Sequence, residues 1–131
     1  MGYAFNTLGL LYELLKDQAS FVTTEPPSDI SSRLPALIIS AGTPQKVTNF
    51  ERPGAGATVS FTLTALAEDD EEAFDLCDSA YSTMWDRRHE VTKFGWIPYL
   101  SEIQAPMLVS STQAADGLFQ YTCVFSCVMR K

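Results

Sequence analysis

The residues of this chain with chemistry to offer are few and scattered. His89 is its only histidine, and a general base working at neutral pH is most often a histidine. It follows Arg87 and Arg88 at the end of a helical stretch, where positive charge compensates the helix dipole. Seven carboxylates lie between Glu68 and Asp78 with no base among them. Such a run could hold a hard cation, but calcium loops alternate their ligands around a turn glycine, which is missing here. Trp96 and Tyr99, beside Gly95, are of the type that lines a ligand pocket, and equally of the type that staples a loop to a sheet edge. No glycine-rich phosphate cradle, metal-ligand spacing or nucleophile elbow is present. The expectation is a protein that is not an enzyme, with no catalytic residues, metal or cofactor.

Three cysteines complete the inventory: Cys77, Cys123 and Cys127. The last two are four apart in a strand-like segment, hence on one face but roughly 13 Å apart. That is too far for a disulfide or a shared metal. All three are expected to be reduced core residues.

The chain has 131 residues, 46% of them hydrophobic and 19% charged, with a net charge of −7. Length and composition are those of one globular domain spanning residues 1–131, large enough for a real core. The acidic balance argues against a nucleic-acid-binding surface, which needs clustered Lys and Arg. No segment reaches the roughly 20 apolar residues of a membrane helix, and the start of the chain does not read as a signal peptide. A cytosolic site of synthesis, with no membrane partner, is the expectation.

The stretch from Glu68 to His89 must position whatever the chain does. At about 100° per residue, Ala73, Phe74, Leu76, Cys77, Ala80, Tyr81, Met84 and Trp85 fall on one half of a helix. Glu71, Glu72, Asp75 and Asp78 fall on the other, with Asp69 as N-cap. A first helix is expected within Asn6 to Ala19, where Leu8, Leu11 and Leu15 recur at helical spacing. Phe21 to Thr24 reads as a short strand and Leu34 to Ala41 as a covered central strand. Gly42 to Gly56 is a long loop without periodicity; loops of this kind are often functional. Its Lys46, Phe50 and Arg52 are candidates for contact with a neighbouring subunit.

Val59, Phe61, Leu63 and Ala65 alternate with polar residues, as in a strand with one buried face. Glu90 to Tyr99 reads as a linker. Ile103, Ala105, Met107 and Val109 form a weaker strand, placed at an edge or a bulge by Pro106. Asp116-Gly117 closes a turn into the last strand, where Phe119, Tyr121, Cys123, Phe125, Cys127 and Met129 share a face. The fold class expected is α+β: a single antiparallel sheet with two helices packed on one face, in the order helix, three strands, helix, two strands. Phe61, Phe74, Tyr81, Phe119, Tyr121 and Phe125 are expected to share the core. The other sheet face, with Val124 and Val128 among Thr122 and Ser126, is expected to leave valines exposed, as in a subunit of a larger assembly.

Several of these segments, taken in order, are similar to those of the tail terminator proteins of long-tailed bacteriophages. They are the N-terminal helix, the strand Leu34-Pro35-Ala36-Leu37-Ile38-Ile39 and the alternating strand before an acidic-capped helix. Gly95-Trp96 follows, then a closing strand Asp116-Gly117-x-x-Gln120-Tyr121-Thr122-x-x-Phe125 ending in Arg130. The likeness is one of layout, length and strand style along nearly the whole chain. It implies a homo-hexameric ring that sits on the last ring of tail tube protein and stops tail polymerisation. It also implies docking to the head–tail connector protein, DNA passing through the hole without specific binding, and a place in the tail or neck of a virion assembled in host cytoplasm. Such a family has no catalytic residues to carry over. The acidic face of Glu71, Glu72, Asp75 and Asp78 would then look onto solvent or the lumen, where it would let DNA slide. Two other readings stay open: another connector or stopper ring of the phage neck, or a small-molecule-binding α+β domain using Trp96 and Tyr99.

Overall fold

A computed structural model describes residues 6–25, 28–29, 32–43, 45, 56–109 and 118–131. The elements, in order, are α1 (Thr7–Leu15), β1 (Phe21–Thr23), β2 (Ala36–Ala41), β3 (Gly56–Ala67), α2 (Asp70–Arg87), β4 (Trp96–Val109) and β5 (Phe119–Arg130). Five strands make one sheet in the order β1-β2-β3-β5-β4. The fold is α+β, but the sheet is mixed and not wholly antiparallel: β1 runs parallel to β2, pairing Phe21 with Ala36 and Thr23 with Ile38. The physical reason is room. Residues 24–35 leave enough chain to return to the starting end of the sheet, so β2 enters beside β1 in the same direction. The other pairings are antiparallel.

Each helix forms where its sequence supplies both a cap and a stripe. Asn6 Oδ1 accepts from the Gly9 N–H at 2.9 Å and opens α1. Asp69 accepts from the Glu72 N–H at 3.2 Å and opens α2. Leu10, Leu11, Leu14 and Leu15 of α1 are buried, as are Ala73, Leu76, Cys77, Ala80 and Met84 of α2. Both stripes enter one core with Leu37 and Ile39 of β2, Val59, Phe61 and Leu63 of β3, and Cys123, Phe125, Cys127 and Met129 of β5. The helices therefore lie on the same face of the sheet. Arg87 fixes their relative position by donating from Nη1 to the Leu14 carbonyl at 2.6 Å. Ser79 Oγ donates to Gln18 Oε1 at 2.8 Å across the same seam.

Strand β4 differs most from its sequence pattern. It begins at Trp96, so the Trp96–Tyr99 end of the expected linker is strand. Its pairing with β5 slips three times, between Trp96 and Tyr99, between Glu102 and Gln104, and between Gln104 and Met107. Each slip moves later side chains off a two-residue alternation. Ile103, Ala105, Met107 and Val109 therefore do not make one buried face, and Ile103 is 59% exposed.

The aromatic core is smaller than periodicity suggests. Phe61 and Phe125 are sealed, and Tyr81 and Tyr121 pack against the cluster half-buried. Phe74 is 41% exposed. Its ring meets Tyr121 edge-on, 5.4 Å between centroids, at the end of the sheet where no further layer covers it. Phe119, in the first position of β5, is also only half-buried. On the opposite face Val124 and Val128 are half-buried and not exposed, because each lies between paired residues of β3 and β4. The Asp116-Gly117 turn lies outside the described residues.

Phe125 stacks on Phe61 at 5.4 Å and on Tyr81 at 5.6 Å, and takes the edge of Trp85 at 5.8 Å. Phe125→Ala should lower unfolding free energy by about 3–5 kcal/mol in a denaturant titration, the range for an aromatic lost from a packed core. A change near zero would mean that β5 has its faces reversed.

Candidate functional site

Helix α2 sets the electrostatics of the surface. At 18 residues it is about 27 Å long, and it lies across β3, β5 and β4 with its two ends at opposite ends of the sheet. Its N-terminus follows Ala67, which pairs with Phe119. Its C-terminus meets the start of β4, where the Ile97 N–H donates to the Arg88 carbonyl at 3.2 Å, and Trp96 pairs with Arg130.

The first end is acidic. Glu71, Glu72, Asp75 and Asp78 are all exposed along the first half of α2, as the amphipathic pattern requires. Glu72 and Asp75 border an open hollow of about 490 Å³ between α2, Gln18 and Pro35. On the other side of the helix, Tyr121 Oη donates to Asp70 Oδ1 at 2.8 Å. That bond to a carboxylate raises the phenol above its ordinary value. Tyr81 is raised for the same reason by Glu102, to which its hydroxyl donates.

The second end gathers bases. Arg87, Arg88, Lys93, Arg130 and Lys131, five of the nine Lys and Arg in the chain, lie there with His89. Arg87 is held by Glu90 through Nε at 2.7 Å and Nη2 at 2.5 Å. Arg88 caps the helix through the Trp85 carbonyl and lies over the Trp85 ring. His89 is exposed, with its ring edge-on to Trp96 at 6.5 Å. It has the helix-terminal place its position indicates. Lys93 and Lys131 border one hollow of about 380 Å³ with Val91 and Phe94.

Among the described residues, no group of three or more His, Cys, Asp or Glu could hold a metal ion, and no helix is long and apolar enough to cross a membrane. Lys46, Phe50 and Arg52, the candidates of the long loop, lie outside the described residues. Trp96 and Tyr99 belong to a strand, and Tyr99 is 70% exposed.

The surface feature that sequence reasoning missed is an apolar one. Seven large hydrophobic residues stand exposed among the described residues, and Tyr99, Ile103, Met107 and Leu108 of β4 are four of them. Their side chains sit on the strand with an open edge, so no neighbour within the chain covers them. Leu108 pairs with Tyr121, on which Phe74 lies, so these two stand on the helix face of the sheet, whereas Tyr99 and Met107 pair with Val128 and Thr122 on the other face. Only the two prolines and one glutamine interrupting the alternation of β4 (Pro98, Pro106 and Gln104) signalled in the sequence that its register was broken.

The fold and surface define the chain as an α+β domain whose five-stranded mixed sheet has one face roofed by helices and an apolar open edge. No family model matches the chain, and no curated relative does. Among solved structures it is similar to a chain of the "Virion of native gene transfer agent (GTA) particle". That likeness has 16% identity and a TM-score of 0.47, over 93% of this chain and 85% of that one. At that identity and score it carries no functional argument.

The thiols of Cys77, Cys123 and Cys127 are free and buried. The Cys77 side chain holds the Cys123 thiol far above the ordinary range, with burial adding to the effect. Burial pushes the Cys127 thiol up to about 12. Thiolate is the reactive form, so native protein at pH 8 should resist alkylation and react fully only in denaturant, as read by intact mass. Raised thiols are neutral in the fold and favour it. Their stabilisation is complete below about pH 9 and is lost as pH climbs toward 12. The urea midpoint should therefore hold level through neutral pH and fall in alkali. Rapid labelling of the native protein at pH 8 would contradict this.

Proposed function

We propose that this protein is a structural component of a phage-like virion, a ring-forming subunit that caps a tail tube, ends its polymerisation and joins tail to head. One observation supports an assembly role above the others: the edge strand β4 exposes large hydrophobics on both faces of the sheet, Tyr99 and Met107 on one and Leu108 on the other. Single exposed hydrophobics are ordinary on a monomer, whereas several concentrated on one edge strand fit a surface covered by a partner. The layout shared with tail terminator proteins supports the particular assembly. In this reading the protein does no catalysis, forms a homo-hexamer, and contacts tube protein on one side and connector on the other.

The acidic side of α2 suits a ring through which DNA passes, since Glu71, Glu72, Asp75 and Asp78 would repel phosphate and not retain it. Lys46, Phe50 and Arg52 are the proposed reach of the 42–56 loop toward a neighbour or the tube, with Phe50 as an apolar anchor. The rival reading, another connector or stopper ring of the neck, shares the ring and differs in what happens without it.

Two measurements test the proposal. Native mass spectrometry should show a species of six 14.5 kDa chains. Inactivating the gene in a particle-producing host should yield overlong tubes unattached to heads. Tails of normal length left unjoined to heads would favour the connector reading, and a strictly monomeric protein with normal particles would overturn both. Deleting residues 46–52 should abolish rings; rings and tail lengths unchanged by the deletion would reduce the loop to a spacer.

A further inference from the structure

Both helices pack on one face of the sheet, and the middle of the other face carries no charge. Ser60, Ser126 and Ser101 stand in one row across β3, β5 and β4. The rows on either side are centred on Val124 and Val128, and the next row ends in Met107. Among the described residues these four rows hold no Asp, Glu, Lys or Arg. Glu102, the one acid of β4, pairs with Phe125 and takes the Tyr81 hydroxyl on the helix face. The first charge in line is Arg130, at the end of β5. In a chain with 16 Asp and Glu and nine Lys and Arg, an open face without charge is one that meets another surface.

We propose that this face joins a second copy of the chain, sheet against sheet about a two-fold axis. The chemistry of the face selects that occupant. It has no cation to hold phosphate and no ion to pair with a charged partner. A hydroxyl both donates and accepts, so a serine and threonine face satisfies its own copy. A purely apolar partner would leave those hydroxyls unpaired at a cost. Val124 and Val128 flank Ser126 two residues away on each side, so a two-fold axis in the plane at Ser126 sets serine on serine and valine on valine. The contact brings no acids together in a chain already at −7.

Four rows on four strands cover about 500 Å² of each copy in plan. An area of that size belongs to weak, concentration-dependent association and not to an obligate dimer. The inference stands apart from the ring reading, since the contact joins two single chains or two rings alike.

Ser60 and Ser101 are exposed, so charging them leaves the core alone. One variant carries Ser60→Glu and Ser101→Glu, the other Ser60→Lys and Ser101→Lys. Sedimentation velocity over a concentration series should show the wild type doubling, from one chain to two or from six to twelve. Salt should hardly move that midpoint, because no charge lies in the contact. Each variant should double only at concentrations at least about tenfold higher, since like charges now face each other, and should keep the wild-type urea midpoint. Mixed in equal amounts, the two variants should pair again, and salt should weaken that pairing.

A wild type that never doubles up to about 1 mM overturns the inference. Variants that double as readily as the wild type, or that stay apart when mixed, overturn it as well. Variants that lose a six-chain species assign the face to the contact within a ring and also overturn it. A wild type that doubles without ever forming a six-chain species removes the ring reading and leaves this inference standing.

Discussion

The structure depends on the seating of α2 over Phe125. That ring touches Phe61 in the sheet and Tyr81 and Trp85 in the helix, so one residue of β5 registers the helix against two strands. Everything that gives the surface its character follows from this seat. The helix is held with its acids outward at one end of the sheet and its arginines at the other. The Arg87 bond to the Leu14 carbonyl then carries the position of α2 over to α1. A helix rotated by one residue either way, about 100°, would bury Asp75 or Asp78. The cost of an unpaired buried charge forbids that alternative.

Much of this arrangement is legible in the residues. The stripe of α2, its Asp69 cap and the alternation of β5 from Cys123 to Met129 are local patterns, each set by one period and one buried face. What was not legible depends on partners distant in the chain. Whether β1 runs parallel or antiparallel to β2 is not encoded by any periodic pattern in residues 24–35, which are long enough to allow either. The slips of β4 arise from its fit to β5 and leave only prolines and a broken alternation as a trace. Phe74 matches the core pattern of its helix and is nevertheless exposed, because α2 begins where the sheet ends and periodicity knows nothing of where a sheet stops. The candidate site divides along the same line: the acidic face could be read from the helix, whereas the apolar row on β4 needed the pairing.

The contrast between the two faces of β4 bears on function. Toward the core it contributes Ile97, fully buried, and half-buried Leu100. Elsewhere it offers Tyr99, Ile103, Met107 and Leu108 to solvent, on an edge whose backbone is irregular. A protein selected only to remain a monomer gains nothing from such a row, and an edge so interrupted is poorly suited to recruiting strands at random. The combination fits a subunit that must pack against specific neighbours and avoid indiscriminate stacking.

Hydroxyl-radical footprinting of the assembled protein and of dilute monomer tests most directly whether β4 is the covered surface. Met107 and Tyr99 should be labelled readily in the monomer and several-fold less in the assembly, while Met84 and Met129, buried within the fold, should be protected in both. Equal labelling of Met107 and Tyr99 in the two states, with assembly verified in the same sample, would contradict the account.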